Sequence, residues 1–377
     1  MTTRTLLIEP LDPLIFRDGR PFTDGLPAAT MPFPLPITIA GAIRTRSGAN
    51  LDFSDAEIIG SLLKIQQTGP FAAILNDGKW EPLFCAPADA VPYGSEKRIE
   101  YVPLRPAAHA APGGCDLPEG VQPLFGARPE KALDEAPRFW RSSFFQKWLT
   151  NKTGTVTAAF REAGFEPLPE QRRTHVAIDP DSLAARKHML FATSGLEFAW
   201  RKEKPKSGEP VGERLDAFPV GLMSRIECPE DACWPAAAPL GGERRLALWR
   251  ELPAAEVAWP AAPAIQGKKG EIVRAILVTP GAFDLGWRPA WCGGLRPPGV
   301  PDLKLELVAA ALARFQPASG WDLKARGPKA TRFLVPAGSV FFFRVIDGNP
   351  AKLWMRSICD REQDRRDGFG IVLLGDC

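Results

Sequence analysis

The 39 prolines and 34 glycines scattered along these 377 residues constrain the fold more than any other feature. Proline fixes φ and removes a backbone donor, and glycine weakens the interior of a helix or strand. The chain is therefore expected to consist of short elements joined by many loops, some of them long. With 45% apolar and 24% charged residues it still has the material for an ordinary globular core. At ~100–200 residues per domain, its length implies two or three domains.

A formal net charge of +3 is too small for a general polyanion binder, so any nucleic-acid site must be a local patch. The seven cysteines are odd in number, scattered and without a C-x-x-C pair. That pattern points to a reducing compartment, with neither a disulfide framework nor a zinc site. The N-terminal segment carries Arg4, Glu9 and Asp12 among its apolar residues and lacks a signal-peptide core. Nor does any apolar run reach the ~20 residues that span a bilayer. A cytoplasmic protein without membrane contact is expected.

Thr5–Ile8 reads as a strand, followed by a proline-studded loop and a helix over Thr38–Arg46 with Thr38 as cap. Ser54-Asp55-Ala56-Glu57 reads as a capping box before an apolar stripe of Ile58, Ile59, Leu62, Leu63 and Ile65. Phe71–Leu75 and Trp80–Cys85, joined through Asn76-Asp77-Gly78, predict a hairpin. Residues 87–137 lack periodicity and read as a long insertion or ordered meander. A helix is expected over Arg138–Leu149, its aromatic residues packing in a core. A basic hairpin follows over 172–191. The charged, proline-bearing segment 202–208 suggests a domain boundary, which divides the chain into 1–206 and 207–377. In the second part, strands are expected at Ile272–Val278, Val340–Ile346 and Ile371–Leu374, and a helix at Leu303–Phe315.

Chemistry-bearing residues are sparse. Asp18-Gly19 suits a two-residue hairpin loop, which would set Arg17 opposite Arg20. Like charges so placed repel unless something negative lies between them, either Asp18 or a shared phosphate; solvated surface arginines are the alternative. Arg44 and Arg46 fall in the last turn of the first predicted helix. Arg172, Arg173 and His175 lie on the basic hairpin, while Lys268, Lys269 and Lys329 lie in basic loops. Gly368 and Gly370 sit in a glycine-rich loop whose main chain can approach a ligand or form an anion nest. Of the three histidines, His175 and His188 could act as general base and acid on RNA only if they met across the hairpin. No P-loop and no metal-ligand spacing is present, so no cofactor and no metal is expected.

Several blocks in order resemble a known family. Pro10–Phe22, Ile39–Arg44, Gly69-Pro70-Phe71, Arg173–Asp179, Leu240–Arg245, Leu277–Pro280, Gly320–Leu323, Val335–Val340 and Gly368-Phe369-Gly370 look like the third subunit of type III-B CRISPR effector (Cmr) complexes, a RAMP-superfamily protein. The likeness spans nearly the whole chain. It implies an α+β fold of two ferredoxin-like (RRM-related) domains with long loop insertions. It also implies a non-catalytic subunit that grips the 5′ tag of the CRISPR guide RNA, without DNA contact, and joins the large polymerase-like subunit to the backbone RAMP subunit. On this reading Arg17 and Arg20 hold phosphates near the tag, Arg44 and Arg46 add backbone contacts, and Gly368 and Gly370 permit close approach. Arg172, Arg173, His175, Lys268, Lys269 and Lys329 are secondary candidates. Two alternatives are a guide-RNA precursor-processing endoribonuclease using His175 and His188, and a scaffold that binds only protein.

Overall fold

The computed structural model describes residues 1–17, 30–47, 52–53, 55–106, 116–126, 128–151, 154–201, 217–265, 267–322 and 327–377. Strands dominate, and the helices are few and short. β1 (Thr2–Pro10) leads through α1 (Pro36–Arg46) and α2 (Ala56–Leu62) to β2 (Gln66–Asn76) and β3 (Lys79–Cys85). After α3 (Ser142–Leu149) come β4 (Glu170–Ile178), β5 (Ala185–Leu196), β6 (Ala217–Cys228) and β7 (Leu246–Leu252). The remainder holds β8 (Ile272–Leu277), β9 (Lys304–Ala311), β10 (Val340–Asp347), α4 (Glu362–Arg366) and β11 (Ile371–Asp376).

Two antiparallel sheets hold all of these strands except β4 and β5, which pair only with each other, in a mixed α+β fold. The first runs β3-β2-β6-β1-β7, lengthened at both ends by short strands, and the second runs β9-β10-β8-β11. In the first, β1 and β2 point the same way with antiparallel β6 between them, so α1 and α2 make a crossover. β6 and β7 belong to the first sheet, which therefore extends through Leu252. The change of sheet falls between Leu252 and Ile272, not at 206/207, because β6 finds its ladder partners in β1 and β2. The segment 202–208 lies outside the described residues.

The predicted β2–β3 hairpin is present, with Asp77 (φ 47°) and Gly78 (φ 75°) supplying the two left-handed positions of its tight turn. Helix α1 begins at Pro36, where a fixed φ suits the first turn, and Leu35 rather than Thr38 is its cap residue. In α2 the cap is Asp55, whose carboxylate accepts from the backbone N–H of Glu57 and Ile58; Ser54 lies outside the described residues. None of the α2 residues is fully buried: the apolar stripe meets the core through half-buried Leu62 at the end of the helix and buried Ile65 beyond it. Phe139–Arg141 forms a strand against β3, leaving the helix to start at Ser142. Between these, the 87–137 segment holds a hairpin of Ala90–Ser95 and Arg98–Pro103.

The helix expected over Leu303–Phe315 is instead the edge strand β9. Leu305 and Leu307 are buried while Lys304 and Glu306 alternate outward, a period of two. Across the ladder Glu306 faces Arg344, and their side chains pair at 3.0 Å. Neighbouring β10 is buried on both faces, which accounts for its unbroken apolar run Val340-Phe341-Phe342-Phe343. One face joins an apolar cluster with Ile39 and Ile43 of α1 and Leu222 of β6, so the two sheets share a core. Its other face packs, through Phe342, with Phe144, Phe145 and Trp148 of α3.

A buried ionic network ties the insertion to this core. Arg274 of β8 and Asp89 are both fully buried and pair at 2.8 Å. Trp148 donates its indole N–H to Asp89 at 3.1 Å, and Arg274 donates to the Trp148 carbonyl at 2.7 Å. Arg105 lies 3.7 Å from the same carboxylate, so removing Asp89 would strand Arg274 away from water, whereas removing Arg274 would leave Asp89 only this longer pair.

Candidate nucleic-acid interface

Between the two sheets the exposed face of α1 forms the floor of a trough. Ile37, Thr38, Gly41, Ala42 and Thr45 supply that floor, and space above Gly41 is open. Small side chains here let a ligand come close to the helix. One wall is the loop after β1. It passes Ile15 and Phe16 to Arg17, whose strand partner is Thr30. The predicted opposition of Arg17 to Arg20 falls outside the described residues, as do Asp18 and Gly19.

The second wall is the loop Leu240–Arg245. Gly241 (φ 75°) is required there, because a Cβ would stand 2.6 Å from the Ile15 carbonyl oxygen. Next to it, Glu243 (φ 56°) and Arg244 (φ 52°) both occupy the left-handed region, a strained arrangement for side-chain-bearing residues. This strained turn brings Arg244 to the trough. Glu243, the one carboxylate among the described lining residues of this section, is held by Arg245 at 3.1 Å. Arg46 is half-buried: it donates to the Pro239 carbonyl and lies 5.5 Å from the Trp249 ring centroid. Burial lowers its pKa from the ordinary arginine value. Arg17, Arg46 and Arg244 thus converge on a cavity of about 710 Å³.

A second cavity of about 620 Å³ continues the trough, sharing Ile37, Ser319 and Gly320 with the first. Lys329 and Phe333 line it, together with Arg332 and Arg361. Arg332 makes a two-pronged pair with Asp364 at 2.7 Å, and Arg361 pairs with Asp284 at 2.7 Å. Lys329 is exposed and makes no ion pair among the described residues.

Arg44 is not part of this surface. It is buried, paired with buried Asp367 and bonded to the Ile65 carbonyl at 2.8 Å. Its place on the inward face of α1 makes it a bolt between α1 and the loop after α4, correcting the expectation that it contacts RNA. Gly368 and Gly370 are also buried. A Cβ on Gly368 would lie 2.4 Å from the Gly69 carbonyl oxygen, and one on Gly370 would lie 2.4 Å from Cys359 Sγ. The close approach these glycines allow is to the protein itself. Lys268 and Lys269 precede β8, at the end of that strand away from the trough, which is lined by Ala282 beyond the other end; about 3.3 Å per residue separates the two ends by roughly 20 Å.

β4 and β5 form a two-stranded ribbon, longer than the strands predicted there. Its root bridges Leu196 to Leu14, beside the trough wall. Arg172 and Arg173 are exposed on it. His175 stacks on Phe191 at 5.1 Å and its Nε2 lies 3.0 Å from the Thr193 hydroxyl. In the ladder His175 faces Phe191, not His188, so the two histidines are not cross-strand partners as the nuclease alternative required; the His188 side chain lies outside the described set. Among the described residues no cluster of His, Cys, Asp or Glu could hold a metal ion, and no helix is long and apolar enough to cross a membrane.

Sequence reasoning missed Arg244 as a trough residue, although its block was recognised. The available signal was its arginine beside Gly241-Gly242, a glycine pair suited to close docking. No curated protein matches the chain. Two cryo-EM structures are similar to it, one of type III-B Cmr-beta bound to cognate target RNA and one bound also to AMPPnP, in state 1. Each is 16% identical with a TM-score of 0.43, covering 90% of this chain and 86% of that chain. The family model for the CRISPR-associated protein Cas_Cmr3 matches residues 6–377, and the chain belongs to that family.

Proposed function

We propose that the chain is a guide-RNA-binding, non-catalytic subunit of a type III-B Cmr effector complex, and that it grips the 5′ tag of the guide in the trough between its sheets. The observation that carries this reading is the convergence of Arg17, Arg46 and Arg244 above a helix face of small residues, continued by Lys329. Guanidinium groups suit phosphate oxygens, which they bind with two donors at once. An open trough suits a single strand better than a duplex. The ribbon β4–β5, rooted beside the trough, offers Arg172, Arg173 and His175 to the same strand. Arg20, three residues beyond Arg17 in the sequence, belongs to this reading as a further phosphate contact, and Lys268 and Lys269 serve a separate backbone contact.

Strand order supports the two-domain part of the proposal. Setting aside β3 and the short flanking strands, the order by appearance in both sheets is fourth, first, third, second: β7-β1-β6-β2 and β11-β8-β10-β9. This is the arrangement of a ferredoxin-like βαββαβ unit. The first sheet keeps only the helical crossover after its first strand, and the second keeps only α4 before its last. Remaining faces of the molecule join the large polymerase-like subunit and the backbone RAMP subunit.

Titrating the full chain with single-stranded tag RNA at several salt concentrations tests the proposal. Each neutralised phosphate contributes roughly −0.7 to the slope of log affinity against log salt. Arg17→Ala combined with Arg244→Ala is expected to flatten that slope by about 1.4, with thermal stability retained. An unchanged slope and affinity would remove the trough as the binding site.

A further inference from the structure

The trough changes character along its length. Among the described residues its first section is lined by Arg17, Arg46 and Arg244, and by Glu243, which Arg245 holds. In its second section Arg332 and Arg361 are each neutralised by Asp364 and Asp284, and an aromatic ring takes over the surface. Phe333 is 59% exposed and Phe315 is 53% exposed, and they meet edge to face at 4.8 Å. Water-facing phenylalanines in contact with each other are unusual among exposed residues. The Phe333 backbone is fixed by a short ladder in which it faces Pro317, and Phe315 immediately precedes the partner strand. Arg314 lies 6.0 Å from the Phe315 ring centroid. Lys329 stands at the junction of the two sections: its backbone N–H bonds the Gly320 carbonyl at 2.8 Å, and its side chain passes over Gly320.

We propose that Phe333, braced by Phe315, is a stacking platform for one unpaired nucleobase of a single-stranded RNA whose phosphates lie in the arginine section, with Lys329 holding the phosphate between. This rests on the function proposed above and goes further by naming where a base is received. Charge favours this occupant: a neutral base fits the balanced section, and the anionic backbone fits the cationic one. Edge-to-face support keeps the Phe333 ring in place without covering its outer surface. Aromatic stacking accepts any base, so the platform would add affinity without reading sequence.

The experiment measures binding of a short fluorescein-labelled oligoribonucleotide to the full chain and its variants. Phe333→Ala and Phe333→Leu are each expected to weaken binding roughly tenfold, with the salt slope unchanged because no phosphate contact is lost. Phe333→Trp should bind at least as tightly as the parent. Thermal unfolding should not move, since the ring is exposed. Wild-type affinity in Phe333→Ala, while Arg17→Ala with Arg244→Ala still weakens binding, would overturn the platform and leave the trough standing. Retained RNA affinity in Phe333→Ala with lost association to another subunit of the complex would assign the rings to a protein contact and overturn it equally. If the parent chain bound no RNA at any salt, the platform would fall together with the reading beneath it.

Discussion

At the scale of single residues, Arg44 and Asp367 carry the clearest consequence. Their pair is buried, and Gln67 and Gln363 donate to the Asp367 main-chain and carboxylate oxygens at 2.7 and 2.8 Å. Asp367→Ala would leave a guanidinium buried without a counter-charge, at a cost of about 3–5 kcal/mol. Urea unfolding should register that loss, and the Arg44→Met, Asp367→Leu double variant should recover much of it. A single variant as stable as the parent would contradict the burial. From its sequence position Arg44 was recognisable as the end of a helix, where a cation suits the macrodipole. Its partner lies 323 residues away, so the neighbourhood that removed it from solvent had no local signature. Arg17 differs: its backbone bridges Thr30 and its side chain is exposed.

Among the elements, the ribbon β4–β5 depends on its tip. Asp179 accepts the Ser182 backbone N–H at 3.0 Å and hydroxyl at 3.1 Å, and the Asp181 N–H at 3.1 Å. These bonds, the Ser182 backbone first, hold its carboxyl below the usual aspartate value. A depressed folded value means the tip is fully supported above the unfolded pKa of about 3.9 and loosens only as pH falls through the lower folded one. The Ser182 amide resonance should therefore stay constant from neutrality to about pH 4 and move only below it. A midpoint at or above about 3.9 would rule out the capping geometry. The hairpins and α1 were readable in advance because turn chemistry and helix ends are local. β9 was not: its alanine run is compatible with a helix, and the ladder offered by β10 outweighed that propensity.

For the whole molecule, the shared cluster linking α1, the first sheet and the second predicts one unfolding event despite two sheets. Calorimetry should find a single transition, and tryptophan fluorescence, reporting Trp148 and Trp200 together, should coincide with loss of far-ultraviolet circular dichroism. Two separated transitions would mean that the sheets unfold independently. What the amino-acid order determined by itself was the kind of object: short elements, tight turns, a modest cationic excess confined to patches, and an ordered set of blocks that named the family. Tertiary structure alone decided which cations meet. Arginines distant in the chain look equivalent until packing buries Arg44, strands Lys268 and Lys269 at the far end of a strand, and gathers Arg17, Arg46 and Arg244 on one face. Burial and convergence are properties of non-local contacts, and no window of sequence contains both partners of such a contact.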